Sequence, residues 1–256
     1  MLKLSSLPVF TGLVAVTIVG AGYFAKHTHQ QQTVARNPAG VVGKETATVS
    51  LKKGELHFAE QTERAYRFSR QLKATVASQT LLDLEFSGEL TIATLEQEGT
   101  ALKQVATLTF DKKTLDQFSP DMRTAAAKEK PAVSFLRNDQ GHITDLKAIP
   151  EPSGSTRFFD EKKRILIDLV AQYAFFSTDD SLGHYTAQID ELGPRHYQKR
   201  KLAYLASSDS PVVSKVLTSR HDLLLDAEGI QTVEGSETIE SGNDSMRMVQ
   251  WSSYRI

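Results

Sequence analysis

From Leu82 to Ile92 the chain alternates: Leu82, Leu84, Phe86, Leu90 and Ile92 are apolar, while Asp83, Glu85, Ser87, Glu89 and Thr91 are polar. Successive side chains of a strand point to opposite faces, so this pattern predicts a long antiparallel strand with one face on a core and one in water. Gly88 replaces an inward side chain in its middle, which predicts a bulge or sharp bend that curls the sheet. The same alternation appears in Tyr66, Phe68, Leu72 and Val76, with Arg67, Ser69, Gln71 and Lys73 outward, and again in Ala106, Leu108 and Phe110. Two hairpins are predicted where turn residues interrupt apolar runs. Val133 and Phe135 lead through Asn138-Asp139-Gln140-Gly141 to Ile143 and Leu146, and Leu223-Leu224-Leu225 leads through Asp226-Ala227-Glu228-Gly229 to Ile230 and Val233. With Tyr185 to Ile189, His196 to Ala206, Lys215 to Leu225, Glu237 to Ile239 and Met246 to Tyr254, the count reaches about ten strands. A sheet of that size built from sequential hairpins hides its inner face only by curling into a barrel or folding into a sandwich.

One segment breaks the period. Phe158 to Phe176 opens with Asp160 and Glu161, suited to a helix N-terminus, and is apolar nearly all round from Ile165. A helix apolar on most sides needs partner surface on most sides, and the concave face of the curled sheet supplies it. The predicted fold is therefore mainly β with α, an antiparallel curled sheet or barrel packed around one buried helix. Phe158, Phe159, Ile165, Leu166, Leu169, Val170, Tyr173 and Phe176 are its candidate core-lining or lipid-lining residues. Pro150, Pro152 and Gly154 form the loop before the helix. A second helical stretch, Pro120 to Lys130, is expected on the surface because its apolar content is little more than alanine.

The N-terminus has a different character. Residues 8–24 carry no charge and are flanked by Lys3 and Lys26. At about 1.5 Å per residue they reach roughly 26 Å, enough to span a bilayer with modest thinning. The reading favoured by length is an uncleaved anchor. Cleavage near Gly20-Ala21-Gly22, giving a secreted body, is the alternative. Residues 27–50 are polar, include Gln30-Gln31-Gln32 and show neither period, so they read as a tether. His27 and His29 within it read as solvated. The organisation expected is thus a 1–26 anchor or signal segment, a 27–50 linker and a 51–256 barrel body, single-pass and extracytoplasmic, periplasmic if the source is bacterial.

Lys+Arg number 30 against 31 Asp+Glu, a formal net charge of -1, so no global field attracts phosphate backbones and nucleic acid is not an expected partner. The absence of cysteine excludes disulfides, thiolate metal sites and cysteine nucleophiles together. Phosphate-loop, dinucleotide, zinc-protease and nucleophile-elbow motifs are missing, so neither a catalytic residue, a cofactor nor a metal is expected. His57, His142, His184, His196 and His221 are scattered singly among strands and read as structural or surface residues. Asp179-Asp180 reads as solvated or turn-capping. Arg195-His196-Tyr197-Gln198-Lys199-Arg200-Lys201 is the one basic cluster, making Arg195, Lys199, Arg200 and Lys201 candidates for a basic surface; the simpler reading sets Lys199 and Lys201 on the solvent face of a strand, as edge lysines that discourage aggregation.

Three places carry a resemblance. They are Tyr66-Arg67-Phe68 with the strand Leu82 to Ile92; Phe135 to Ile143 with its G-x-I turn, running on to Lys163-Arg164-Ile165-Leu166; and Gly183-His184-Tyr185-Thr186-Ala187 with Lys199-Arg200-Lys201-Leu202. In this order they resemble the N-terminal barrel domain of the large lipid transfer proteins: vitellogenin, apolipoprotein B and microsomal triglyceride transfer protein. The resemblance implies a helix-filled barrel that binds a single amphiphile or docks on a partner protein. The family's disulfide cysteines have no counterpart here, nor do the helical arch and cavity-enclosing sheets up to Ile256, so it does not imply a bulk lipid store. The expected function is non-enzymatic lipid binding or handover at a membrane reached through residues 8–24, with protein docking as the alternative.

Overall fold

The computed structural model describes residues 62–149, 157–177, 179–205, 213–226, 229–243 and 246–256. The anchor, the tether, His57, the Pro150 to Gly154 loop and the side chains of Phe158 and Phe159 lie outside the described residues. Among the described residues, no helix is long and apolar enough to cross a membrane.

Eleven strands form one sheet. They are β1 (Glu63–Val76), β2 (Gln79–Glu98), β3 (Ala101–Phe110), β4 (Ala132–Asn138), β5 (Ile143–Ala148), β6 (Asp179–Asp180), β7 (Gly183–Gly193), β8 (His196–Tyr204), β9 (Val213–Asp226), β10 (Gly229–Asn243) and β11 (Met246–Arg255). The spatial order is β5-β4-β3-β2-β1-β11-β10-β9-β8-β7-β6. Two meanders, β1 to β5 and β6 to β11, are thus zipped together by the antiparallel pair β1 and β11, which joins Ser69 to Arg255 through Val76 to Met248. The chain passes from one end of the sheet to the other through a helix, α3 (Arg157–Tyr173). After it, Phe176 bridges back to His142 beside β5. The sheet is therefore curled into a nearly closed barrel.

The period-two expectation holds along the described strands: Leu82, Phe86, Leu90 and Ile92 are buried on β2, and Leu102, Gln104, Ala106, Leu108 and Phe110 on β3. The positive-φ glycines Gly141 (φ 75°) and Gly229 (φ 135°) stand at the two predicted hairpins. Gly88 differs from expectation. The register of β2 slips opposite Ala74/Thr75 and at Thr94/Glu96, not at Gly88. Instead Gly88 pairs with Phe68 on one side and Phe110 on the other, whose rings meet at 6.5 Å between centroids. A Cβ there would lie 2.1 Å from the Thr109 carbonyl oxygen, so the position needs glycine for close backbone approach rather than for a bulge.

Two helices lie between β3 and β4: a single turn, α1 (Lys112–Leu115), and α2 (Pro120–Lys128). As expected, α2 is largely exposed, with Ala126 its buried residue, and Ser119 caps its N-terminus by accepting from the Met122 N–H at 3.4 Å. Helix α3 is the opposite case. Every residue from Leu166 to Phe175 is buried, and the helix packs on β3 and β4 of one arm and on β6 and β10 of the other. Exposed on the outer side of β7 to β9 are Leu192, Leu202, Leu217 and Leu224, with Leu205 just after β8.

Candidate functional site: the ionic interior of the barrel

The inward phase of several strands is occupied by charge. Arg70 falls in step with Phe68 and Leu72 on β1, Lys199 and Lys201 with Tyr197 on β8, His221 with Leu223 and Leu225 on β9, and Glu237 with Val233 and Ile239 on β10; all five polar side chains are buried. Helix α3 adds Asp168 and Gln172, and β6 adds Asp180. The expectation that Lys199 and Lys201 face solvent is therefore overturned. Alternation forces both lysines to the side of Tyr197, whose ring meets Phe175 of the post-helix segment at 4.9 Å. Asp180, expected solvated, is likewise buried, although its Oδ1 does cap the turn by accepting from the Leu182 N–H at 2.7 Å.

Lys201 is the hub. Its Nζ lies 2.5 Å from Asp180 Oδ2 and 2.9 Å from Glu237 Oε2. The Tyr204 hydroxyl donates to the same Asp180 oxygen at 2.6 Å, and the Tyr254 hydroxyl donates to Glu237 Oε1 at 3.0 Å. The ammonium also sits 4.7 Å from the Tyr185 ring centroid. A second pair fixes the helix to β1: Arg70 Nη2 reaches Asp168 Oδ2 at 2.8 Å, with its guanidinium 4.9 Å from the Tyr254 ring centroid. Asp168 Oδ1 accepts from the Ser181 N–H at 3.0 Å. His221 Nε2 stands 3.7 Å from Glu237 Oε2.

Lys199 does a different job. Its Nζ donates to the carbonyls of Ala171, Gln172 and Ala174 at 2.9, 3.2 and 2.8 Å, the orphan acceptors at the end of α3. Lys162 repeats the device on α2, donating to the Ala126 and Glu129 carbonyls at 3.1 and 2.9 Å. At the other side of α3, Arg137 Nη1 donates to the Tyr173 hydroxyl at 2.9 Å, and that hydroxyl lies 3.3 Å from the Tyr66 hydroxyl.

Electrostatics follow from this geometry. Burial alone would depress the Lys201 ammonium, but Asp180 and Glu237 outweigh it and hold its pKa well above the ordinary value. Burial would raise Glu237, yet Lys201 and then His221 pull it far below the usual carboxylate range. For Asp180 burial wins and its pKa is raised despite Lys201. Burial pushes Lys199 down to about 7 and Lys162 down to about 8.

A pH dependence results. Glu237 stabilises the fold above its unfolded value of 4.5, and that contribution fades as pH falls below it. Lys199 has the same sign in a higher pH window. The unfolded chain holds this proton up to 10.5 but the folded chain only up to about 7, so stability rises with pH across that window. Lys162, lowered to about 8, adds to the same slope. Urea midpoints of the solubilised chain should therefore climb between pH 7 and 9, and Lys199→Met should remove part of that climb while lowering the midpoint at every pH, because three carbonyls lose their donor.

The sequence-derived candidates separate clearly. Leu166, Leu169, Val170 and Tyr173 are buried in the core, and Ile165 and Phe176 are partly buried against it. Arg195 is exposed in the β7–β8 turn with φ 57°, and Arg200 pairs with Asp190 at 2.6 Å near the surface. Asp179 is partly exposed and 2.6 Å from His184. Sequence reasoning missed Arg70, Asp168, Glu237, His221 and Tyr254 as members of one cluster. Their signal was phase: each strand member stands two residues from a buried apolar residue, Arg70 from Phe68, His221 from Leu223, Glu237 from Ile239 and Tyr254 from Ile256. Among the described residues no three His, Cys, Asp or Glu side chains are grouped to hold a metal ion.

The fold and the cluster together define a class: a nearly closed antiparallel sheet enclosing one helix, clamped to it by the buried Arg70–Asp168 pair and the Lys199 hydrogen bonds. No protein-family model matches the chain, and no curated protein matches it.

Proposed function

We propose that this chain is a non-enzymatic, membrane-tethered barrel that binds or hands over lipid, as its resemblance to the N-terminal barrel domain of the large lipid transfer proteins implies. The observation that carries the reading is α3, enclosed from Leu166 to Phe175 by a nearly closed sheet. The resembling segments fall on that framework: Tyr66 to Phe68 on β1 beside β2, Phe135 to Ile143 on the β4–β5 hairpin, Lys163 to Leu166 on α3, and Gly183 to Ala187 and Lys199 to Leu202 on β7 and β8. With the bore filled by side chains, lipid would be met on the outside, where Leu192, Leu202, Leu205, Leu217 and Leu224 are exposed. Residues 8–24 would hold the body at a bilayer, on its extracytoplasmic side.

The full chain reconstituted in vesicles carrying a fluorescent phosphatidylcholine should speed transfer to unlabelled acceptor vesicles above the protein-free rate. A rate equal to the protein-free rate refutes handover. Protein docking is the second reading, favoured by the same exposed leucines on and beside β7 to β9.

A further inference from the structure

We propose that the seam between the two ends of the sheet is a pH-sensitive gate whose latch is the junction of His142 with Phe176. Neighbouring strands of the sheet share ladders, but β5 and β6 stand at its opposite ends. Among the described residues they are brought together by one isolated parallel bridge, His142 to Phe176, in which the Ile143 N–H donates to the Phe176 carbonyl at 2.9 Å. The strand beside this latch is loosely held. β5 pairs with β4 at four positions interrupted by a register slip between Ser134 and Leu136, and Asp145 within it takes φ 55°, a left-handed conformation costly for a non-glycine residue.

The imidazole packs on the Phe176 ring at 4.9 Å between centroids, and its Nε2 is buried with no hydrogen-bond partner. A neutral ring with an unprotonated Nε2 tolerates that site better than an imidazolium, whose charge would be partly desolvated and whose buried Nε2–H would find no acceptor. The charged groups of the surrounding elements are engaged elsewhere. Arg137 on β4 bonds Tyr173, Asp145 and Lys147 on β5 pair at 2.5 Å, and Asp179 beyond Phe176 pairs with His184. Asp139 shares the turn, yet burial alone acts on His142, lowering its pKa. Protonation therefore favours the open latch, and acidification frees β5 from the post-helix segment.

The Ile143 amide is the reporter. Hydrogen exchange of the full solubilised chain, corrected for intrinsic rates, should show its protection falling between pH 8 and pH 5 by up to about 30-fold, the ceiling for an imidazole that titrates at its ordinary 6.5 only when the latch is open. The Leu90 amide of central β2 serves as the control for global opening. His142→Phe, which keeps a ring against Phe176, and His142→Gln should both abolish the extra loss at Ile143. Protection at Ile143 that does not change with pH, or that falls equally in both variants, overturns the proposal.

Discussion

Lys201→Met should lower the unfolding free energy by about 3–5 kcal/mol, the range for removing one partner of a buried ion pair. Here the loss strands two carboxylates, Asp180 and Glu237, each within 2.9 Å of the ammonium and each shut away from water. Their remaining donors are the Leu182 N–H and the Tyr204 hydroxyl for Asp180 and the Tyr254 hydroxyl for Glu237, none of which neutralises charge. Urea denaturation followed by far-UV circular dichroism reads the effect. The triple variant Lys201→Met, Asp180→Asn, Glu237→Gln should recover much of the loss, because replacing all partners of a buried network costs less than orphaning some. A single variant with wild-type stability would show that the three groups are hydrated in solution.

Leu169→Asp should abolish cooperative unfolding altogether. Leu169 is fully buried in the middle of α3, within the core cluster that includes Leu166, Val170 and Tyr173. A carboxylate there must either stay charged without a cation or take up a proton, and both choices cost several kcal/mol in a domain whose whole stability is of order 5–15 kcal/mol. Leu169→Ala is the matched control. It leaves a cavity worth about 2–5 kcal/mol but no buried charge, so a weakened yet cooperative thermal transition should remain. Cooperative melting of both variants would mean that α3 lies outside the core.

The strands were readable because alternation survives wherever one face meets water: Leu82, Phe86, Leu90 and Ile92 on β2 and Ala106, Leu108 and Phe110 on β3 are buried as their phase requires, with Leu84 partly buried between Leu82 and Phe86. Helix α3 was readable for the converse reason, since a run apolar on most sides can rest only inside. What failed was the treatment of charge. Lys199 and Lys201 were read by residue type, as edge lysines, when their parity with Tyr197 already placed them inward. Type outweighs phase in most sequences because burying an unpaired ammonium is costly. Here the cost is offset by partners far apart in the chain, Asp180 and Glu237 for Lys201 and the end of α3 for Lys199, and nothing local in sequence announces them. Arg70 with Asp168 is the same lesson across almost a hundred residues. Gly88 shows the limit of a rule with two outcomes: bulge and close approach share one signal, and the neighbouring Phe68 and Phe110 decide between them.

The claim on which the rest depends is that α3 fills the bore of the barrel. Native-state hydrogen exchange of the full chain tests it most directly, through the amides of Leu166 to Tyr173. If the helix is enclosed, these amides exchange only by global unfolding and share the protection of central β2, around Leu90. Exchange of the helix amides at the rate of the exposed α2, while β2 stays protected, would contradict the account.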